Sequence, residues 1–255
     1  MVKTTQNSLL DGDVKLVQPA KGYRVSVDSV FLASCLEQKN GSKVLDMGCG
    51  IGAISLCLLK RLDEISVTGV EIQTELVKLA KQSRQKNNID EISFNIIEAD
   101  ITKLISRGLS ANSFDQVVMN PPYLEVEQHI PSPNQIKATA NSGTGGVHLK
   151  DWMKAACGVL KNGGYLTLVQ RADRLNEIIN YLSETNFGSF VIYPLWSKAG
   201  QDAKRVIVAA RKNKFMPLRL LPGVIVHQNN GDYTPDAYNI LYKKHATLLW
   251  SKNIS

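Results

Sequence analysis

A glycine-rich turn set between a strand and a helix narrows the fold of this chain more than any other feature. Val44-Leu45-Asp46-Met47 is a short apolar run, Gly48-Cys49-Gly50-Ile51-Gly52 follows at once, and residues 53–61 carry helical spacing. Glycines there let the backbone turn sharply, take up positive φ and approach a ligand closely. From this point strand and helix patterns alternate. Strands are expected at 43–47, 66–70, 92–97, 114–119 and 165–169, and helices at 53–61, 74–87, 149–160 and 175–184. Such an order calls for a mostly parallel sheet covered on both faces. Segments 190–194 and 205–210 have no helical run between them, so they suit an antiparallel pair at one end of the sheet.

The ends of the chain read differently. Residues 9–19 suggest a hairpin around Asp11-Gly12, residues 22–28 a tight polar loop, and residues 29–37 a helix with Asp28 as its N-cap. Asn162-Gly163-Gly164 reads as the C-cap of the 149–160 helix. After Pro217 a short strand at 223–227, a turn at 229–232 and a helix around 235–244 are expected. Residues 124–147 are polar and too long for a plain connector; loops of that length are functional or disordered. No repeat or flexible linker divides the chain. One domain over 1–255 is expected, with an extension at 1–40, a core at 41–215 and a second extension at 216–255.

Composition excludes several classes. With 44% apolar and 21% charged residues the chain is neither collagen-like nor mostly disordered. No apolar run approaches the ~20 residues of a membrane span, and the start lacks a signal peptide's apolar core. Cys35, Cys49, Cys57 and Cys157 show no paired spacing, so reduced thiols in a cytoplasmic protein are expected, without a metal. His129, His148, His227 and His245 show no ligand spacing either. Charge is lopsided: residues 1–136 hold 14 basic and 16 acidic side chains, and residues 137–255 hold 16 basic and 7 acidic. A one-sided basic surface favours a polyanion such as nucleic acid.

Three acids fall at the carboxyl ends of consecutive strands: Asp46, Glu71 and Asp100. Glu71 is placed to take both hydroxyls of a ribose. Ile101, after Asp100, could line an adenine pocket. Gly48, Gly50 and Ala53 also satisfy a dinucleotide fingerprint, so a nicotinamide cofactor is an alternative. Asp46 argues against it, because a pyrophosphate would meet a nearby negative charge. A carboxylate there suits a cofactor carrying an ammonium group, which favours S-adenosylmethionine.

The strand at 114–119 ends in Asn120-Pro121-Pro122-Tyr123. A rigid loop turn is the plain structural reading. Yet Asn and Tyr flank the prolines at the edge where ligands bind in such sheets. A planar amine or carboxamide nitrogen is a poor nucleophile because its lone pair is conjugated. The Asn120 side-chain oxygen can accept one N–H and a backbone carbonyl, that of Pro121, the other. Two fixed acceptors favour a pyramidal nitrogen with its lone pair aimed at a methyl group. Tyr123 offers a flat face for stacking.

Together the glycine turn and the Asn-Pro-Pro-Tyr turn resemble class I S-adenosylmethionine-dependent methyltransferases that act on adenine N6 or glutamine N5. The stretches Gln18-Pro19, Gly22 to Ala33, Ala199-Gly200-Gln201 and Asn230 to Thr234 look like the bacterial tRNA adenine-N6 methyltransferases, over residues 9–245. That resemblance implies a Rossmann-like α/β fold with a mostly parallel seven-stranded sheet, an antiparallel end strand and helices on both faces. It implies cofactor contacts from Asp46, Gly48, Gly50, Glu71, Ile72, Asp100 and Asn120. Arg24 and Asp28 would close the cofactor pocket or meet the substrate. The expected partner is tRNA, with Lys137, Lys150, Lys198, Lys204, Arg205 and Arg211 holding phosphates. The alternatives are a glutamine methyltransferase acting on release factors, or adenine methylation in ribosomal RNA or DNA.

Overall fold

In the computed structural model, residues 3–22, 24–37, 40–123 and 147–250 are described. The chain opens with a hairpin of β1 (Thr4–Leu9) and β2 (Val14–Pro19), closed over Asp11 and Gly12 at positive φ. The sequence located the turn but not β1, whose polar run Thr4-Thr5-Gln6-Asn7 has no strand periodicity. Helix α1 follows (Asp28–Ser34). Then come β3 (Lys43–Met47), α2 (Ala53–Leu59), β4 (Ser66–Glu71), α3 (Thr74–Lys86), β5 (Phe94–Glu98) and β6 (Phe114–Met119). The second half holds α4 (Leu149–Val159), β7 (Leu160–Arg171), α5 (Leu175–Glu184), β8 (Phe187–Trp196) and β9 (Arg205–Lys212). Two short strands, β10 (Arg219–Leu220) and β11 (Val224–Ile225), and α6 (Pro235–Tyr242) complete it.

The large sheet runs β10-β8-β9-β7-β6-β3-β4-β5, with β11 also on β8. Its centre, β7-β6-β3-β4-β5, is parallel throughout. Period-two alternation divides the core. Val44, Val67 and Phe94 pack on one face under α1, α2 and α3, and Leu45, Met47 and Val70 pack on the other under α4 and α5. A sheet buried on both faces explains the consecutive apolar residues Val44-Leu45 in β3 and Val117-Val118-Met119 in β6. The doubly wound expectation holds.

Three details differ. The sheet has nine strands rather than seven, because β10 and β11 each lay two residues along β8. The antiparallel strand is not at the end: β9 lies between β7 and β8 and is antiparallel to both. The chain leaves β7 through α5, takes up β8 one position beyond, and folds β9 back into the gap. Asn162-Gly163-Gly164 is not a helix cap but a bulge inside β7. The helix ends at Val159, and the register on β6 shifts between Phe114↔Leu160 and Gln116↔Tyr165. A side chain at Gly164 would sit 2.9 Å from the Lys161 carbonyl and 3.0 Å from that of Asp115, so the bulge needs glycine.

The two terminal extensions meet each other. Thr234 accepts the Ala237 amide at 3.2 Å and Pro235 fills the first turn, which starts α6. Helix α6 packs on α1, and the Thr247 amide bonds the Ser34 carbonyl at 2.8 Å. Hairpin strand β2 docks on α3, where Ser83 and Asn87 accept the Val17 and Lys15 amides at 2.9 Å each. Those bonds explain two buried polar residues on an otherwise apolar helix face. Among the described residues no helix is long and apolar enough to cross a membrane.

Candidate active site

Strand order reverses between β3 and β6, so the loops leaving their carboxyl ends diverge. Ligands of open α/β sheets bind in the crevice this creates. Here a cleft of about 360 Å³ opens at that point. Its walls include Gly48 and Gly50 after β3, Glu71 at the end of β4 and Ile72 beyond it, Asp100 and Ile101 after β5, and Asn120 to Tyr123 after β6.

The glycine turn is fixed from below. The Gly48 and Cys49 amides both bond the Val70 carbonyl, at 2.8 and 2.9 Å. Gly48 and Gly52 sit at φ +71° and +84°, and a Cβ on Gly48 would come within 2.6 Å of the Trp152 ring. Trp152, from α4, therefore lies directly over the turn and forms a wall of the cleft.

Glu71 is buried, yet both its oxygens are engaged: Oε2 accepts the Gly50 amide at 3.0 Å and Oε1 the Gln73 amide at 2.9 Å. Burial raises its pKa, and these backbone bonds oppose that rise. Asp100 accepts from the Thr102 amide and hydroxyl at 2.8 Å each. Ile72 keeps 39% of its surface exposed although apolar, as a side chain lining a ligand cleft would.

Asp46 departs from expectation. It is wholly buried beneath the turn and does not line the cleft. Its Oδ2 accepts the Ser55 hydroxyl at 2.6 Å and the Ser55 amide at 3.2 Å, while Oδ1 has no hydrogen-bond partner among the described residues. Burial pushes its pKa up to about 7. The alternation of β3 turns Asp46 inward against α2, which spacing alone did not show.

Asp28 is neither a helix cap nor part of the cleft wall. Val27 occupies the cap position, and the Asp28 carboxylate accepts the Tyr123 hydroxyl at 2.7 Å. Arg24 does line the cleft, and its guanidinium donates to Thr5 Oγ1 at 3.0 Å. The Asn120 side chain has no hydrogen-bond partner among the described residues. The Pro121 and Pro122 carbonyls face the buried Gln170 amide, 3.4 and 3.3 Å away. Sequence reasoning missed Gln170 and Trp152. The signal for Gln170 was a polar residue directly after the largely apolar run Leu166-Thr167-Leu168-Val169; Trp152 had none, since it reads as core.

Of the cations expected to hold phosphates, Lys137 lies outside the described residues, as does the loop segment 124–146. Lys150 pairs with Glu184 at 2.5 Å, Lys198 bonds the Asn229 carbonyl at 3.2 Å, and Arg211 stacks on Tyr165 and bonds the Gly163 carbonyl. Lys204 is exposed. Among the described residues no group of three or more His, Cys, Asp or Glu could hold a metal ion.

The family model for the methyltransferase small domain matches residues 23–189. The chain belongs to that family. This methyltransferase is 31% identical to a tRNA1(Val) (adenine(37)-N6)-methyltransferase of Haemophilus influenzae, over 85% of this chain and 89% of that one. It is 29% identical to a release factor glutamine methyltransferase of Fusobacterium nucleatum, over 67% of this chain but only 48% of the relative's length. Among solved structures, a predicted O-methyltransferase from Agrobacterium tumefaciens superposes with a TM-score of 0.72 at 25% identity, covering 89% of this chain and 99% of that one. The sheet is thus that of Rossmann-like class I methyltransferases, and S-adenosylmethionine is the cofactor. The cleft fits it: glycine backbone at one end, a buried carboxylate at the end of β4, and the apolar side chains of Ile72 and Ile101 beyond.

Proposed function

We propose that this methyltransferase modifies the exocyclic N6 of an unpaired adenosine in RNA, in a tRNA beside the anticodon. The observation that carries the reading is the Asn120 amide on a cleft wall, without a hydrogen-bond partner among the described residues and next to a turn stiffened by Pro121 and Pro122. An amide left free at a ligand cleft, with Tyr123 on the same wall, suits a planar amine that must be held and turned. Relatives named for adenine N6 in tRNA match along most of their length, and the basic second half of the chain suits a polyanion.

In this reading Glu71 and Asp100 hold the ribose end of the cofactor, and Ile72 and Ile101 flank its adenine. The bound cofactor supplies a methyl group on a positively charged sulfur. Asn120 Oδ1 accepts one N–H of the target amine and the Pro121 carbonyl accepts the other. Gln170 braces that carbonyl from behind. Tyr123 stacks against the base. Held this way, the target nitrogen would present its lone pair to the methyl group, and once alkylated it would release its proton to water without a strong base. An unpaired adenosine costs only unstacking, roughly a few kcal/mol, to enter such a cleft.

Glutamine N5 in a release factor is the second reading, since a carboxamide would use the same two acceptors. One curated relative of that kind is matched over 48% of its length, and another, a putative protein N5-glutamine methyltransferase of Methanocaldococcus jannaschii, over 85% at 28% identity. The test is transfer of labelled methyl from S-adenosylmethionine to unmodified tRNA, ribosomal RNA, DNA and release factor offered separately. N6-methyladenosine in the tRNA digest is the expected product. Label on release-factor glutamine alone would refute the adenosine reading while leaving the cleft chemistry standing.

A further inference from the structure

Three segments far apart in sequence converge on the ring of Tyr123. Asp28 begins α1, Tyr123 follows the proline turn after β6, and Arg205 begins β9. The phenol donates to Asp28 Oδ2 at 2.7 Å. The Arg205 guanidinium lies over the ring, 4.3 Å from its centroid, and Arg205 Nε is 3.6 Å from the same Asp28 oxygen. Tyr123 is on the cleft wall, whereas Asp28 and Arg205 stand outside it.

A wall needed only for packing would not use this arrangement. A carboxylate, a phenol and a guanidinium are each partly withdrawn from water here, and Arg205 Nε is buried without a hydrogen-bond partner among the described residues. Such groups cost stability compared with apolar side chains of equal volume. What they fix in return is direction. The hydrogen bond sets the ring's position along its long axis, and the stacked guanidinium occupies one of its two faces. Burial and the neighbouring Asp28 raise the phenol's pKa, so it stays a neutral donor at physiological pH.

We propose that Asp28 and Arg205 are positioning residues that lock Tyr123, leaving one ring face to stack on the planar group being methylated. This rests on the reading above that Tyr123 stacks on the substrate. It also gives a task to Asp28 that neither helix capping nor direct cofactor contact fulfils.

A double-mutant cycle on methyl transfer tests it. Tyr123→Phe and Asp28→Ala should each lower kcat by about 10-fold, as expected when a reacting group is slightly misplaced. The double variant should be no slower than either single one, because Asp28 acts through the phenol. Asp28→Asn keeps an oxygen for the phenol and should restore most of the rate. Arg205→Lys keeps charge without the flat plate and should lose about as much rate as Asp28→Ala. Calorimetric affinity for S-adenosylmethionine should stay within about two-fold in every variant that folds. Losses that multiply in the double variant, or a full rate in Arg205→Lys, would overturn the proposal. If Asp28→Ala does not fold, an unchanged rate in Tyr123→Phe overturns it instead. Wild-type enzyme that labels release factor but not tRNA defeats the adenosine reading alone, and the same cycle is then read on release factor.

Discussion

Replacing Asp46 by Asn removes a buried carboxyl group while preserving its shape. The carboxyl is inaccessible to water, and among the described residues only one of its oxygens has a partner, Ser55. Burial lifts its pKa from 3.8 to about 7; the Ser55 bonds work against the rise and the neighbouring Glu71 adds to it. The folded chain therefore retains a proton that the unfolded chain releases between about pH 4 and pH 7. What this group contributes to stability is complete below about pH 4 and is lost as pH rises through about 7. A difference of about 3 units corresponds to on the order of 4 kcal/mol at about 1.4 kcal/mol per unit. Asn can accept the same two bonds from Ser55 and carries no charge at any pH. Without cofactor, Asp46→Asn should be the more stable protein at about pH 8, by roughly 10 °C in melting temperature. The gap should close near about pH 4. Thermal melts across that range, run without ligand, are the assay. Parallel pH profiles for the two proteins would refute the view that Asp46 is a desolvated acid.

Other substitutions probe the cleft directly. Asn120→Ala should cut kcat by about 100-fold or more, the scale for losing one preorganised polar contact to the transition state. Its cofactor affinity by calorimetry should stay within about two-fold, and a normal rate would sink the mechanism. Glu71→Ala should weaken S-adenosylmethionine binding by at least about 10-fold, since it removes a charged acceptor and strands the Gly50 amide; unchanged affinity would remove Glu71 from the site. Gly48→Ala should destabilise the fold by about 1–3 kcal/mol, because its Cβ would collide with Trp152 at 2.6 Å and φ is positive. Denaturant unfolding would measure this, and wild-type stability would show that Trp152 moves freely.

Much of this protein was written in local sequence. Apolar runs of strand length alternating with helical spacing dictate the doubly wound sheet, because each element must bury one face or both. The Gly48-Cys49-Gly50-Ile51-Gly52 turn marks the cleft, since only glycine accepts that backbone and that closeness. Asn120-Pro121-Pro122-Tyr123 marks its opposite wall through residue types that suit methyl transfer to a planar nitrogen. What local pattern does not carry is direction and long-range pairing. Residues 162–164 have the composition of a helix cap, and only pairing with β6 makes them a bulge. Asp46 has the spacing of a cofactor ligand, but the pleat of β3 turns it away from the cleft. Asp28 precedes a helix as a cap would, yet its partners lie 95 and 177 positions away in sequence, at Tyr123 and Arg205. Gln170 and Trp152 reach the site only because β7 and α4 happen to pack beside it. Periodicity and turn chemistry are properties of neighbours in the chain. The inner surface of a cleft is assembled from residues that only the folded sheet brings together.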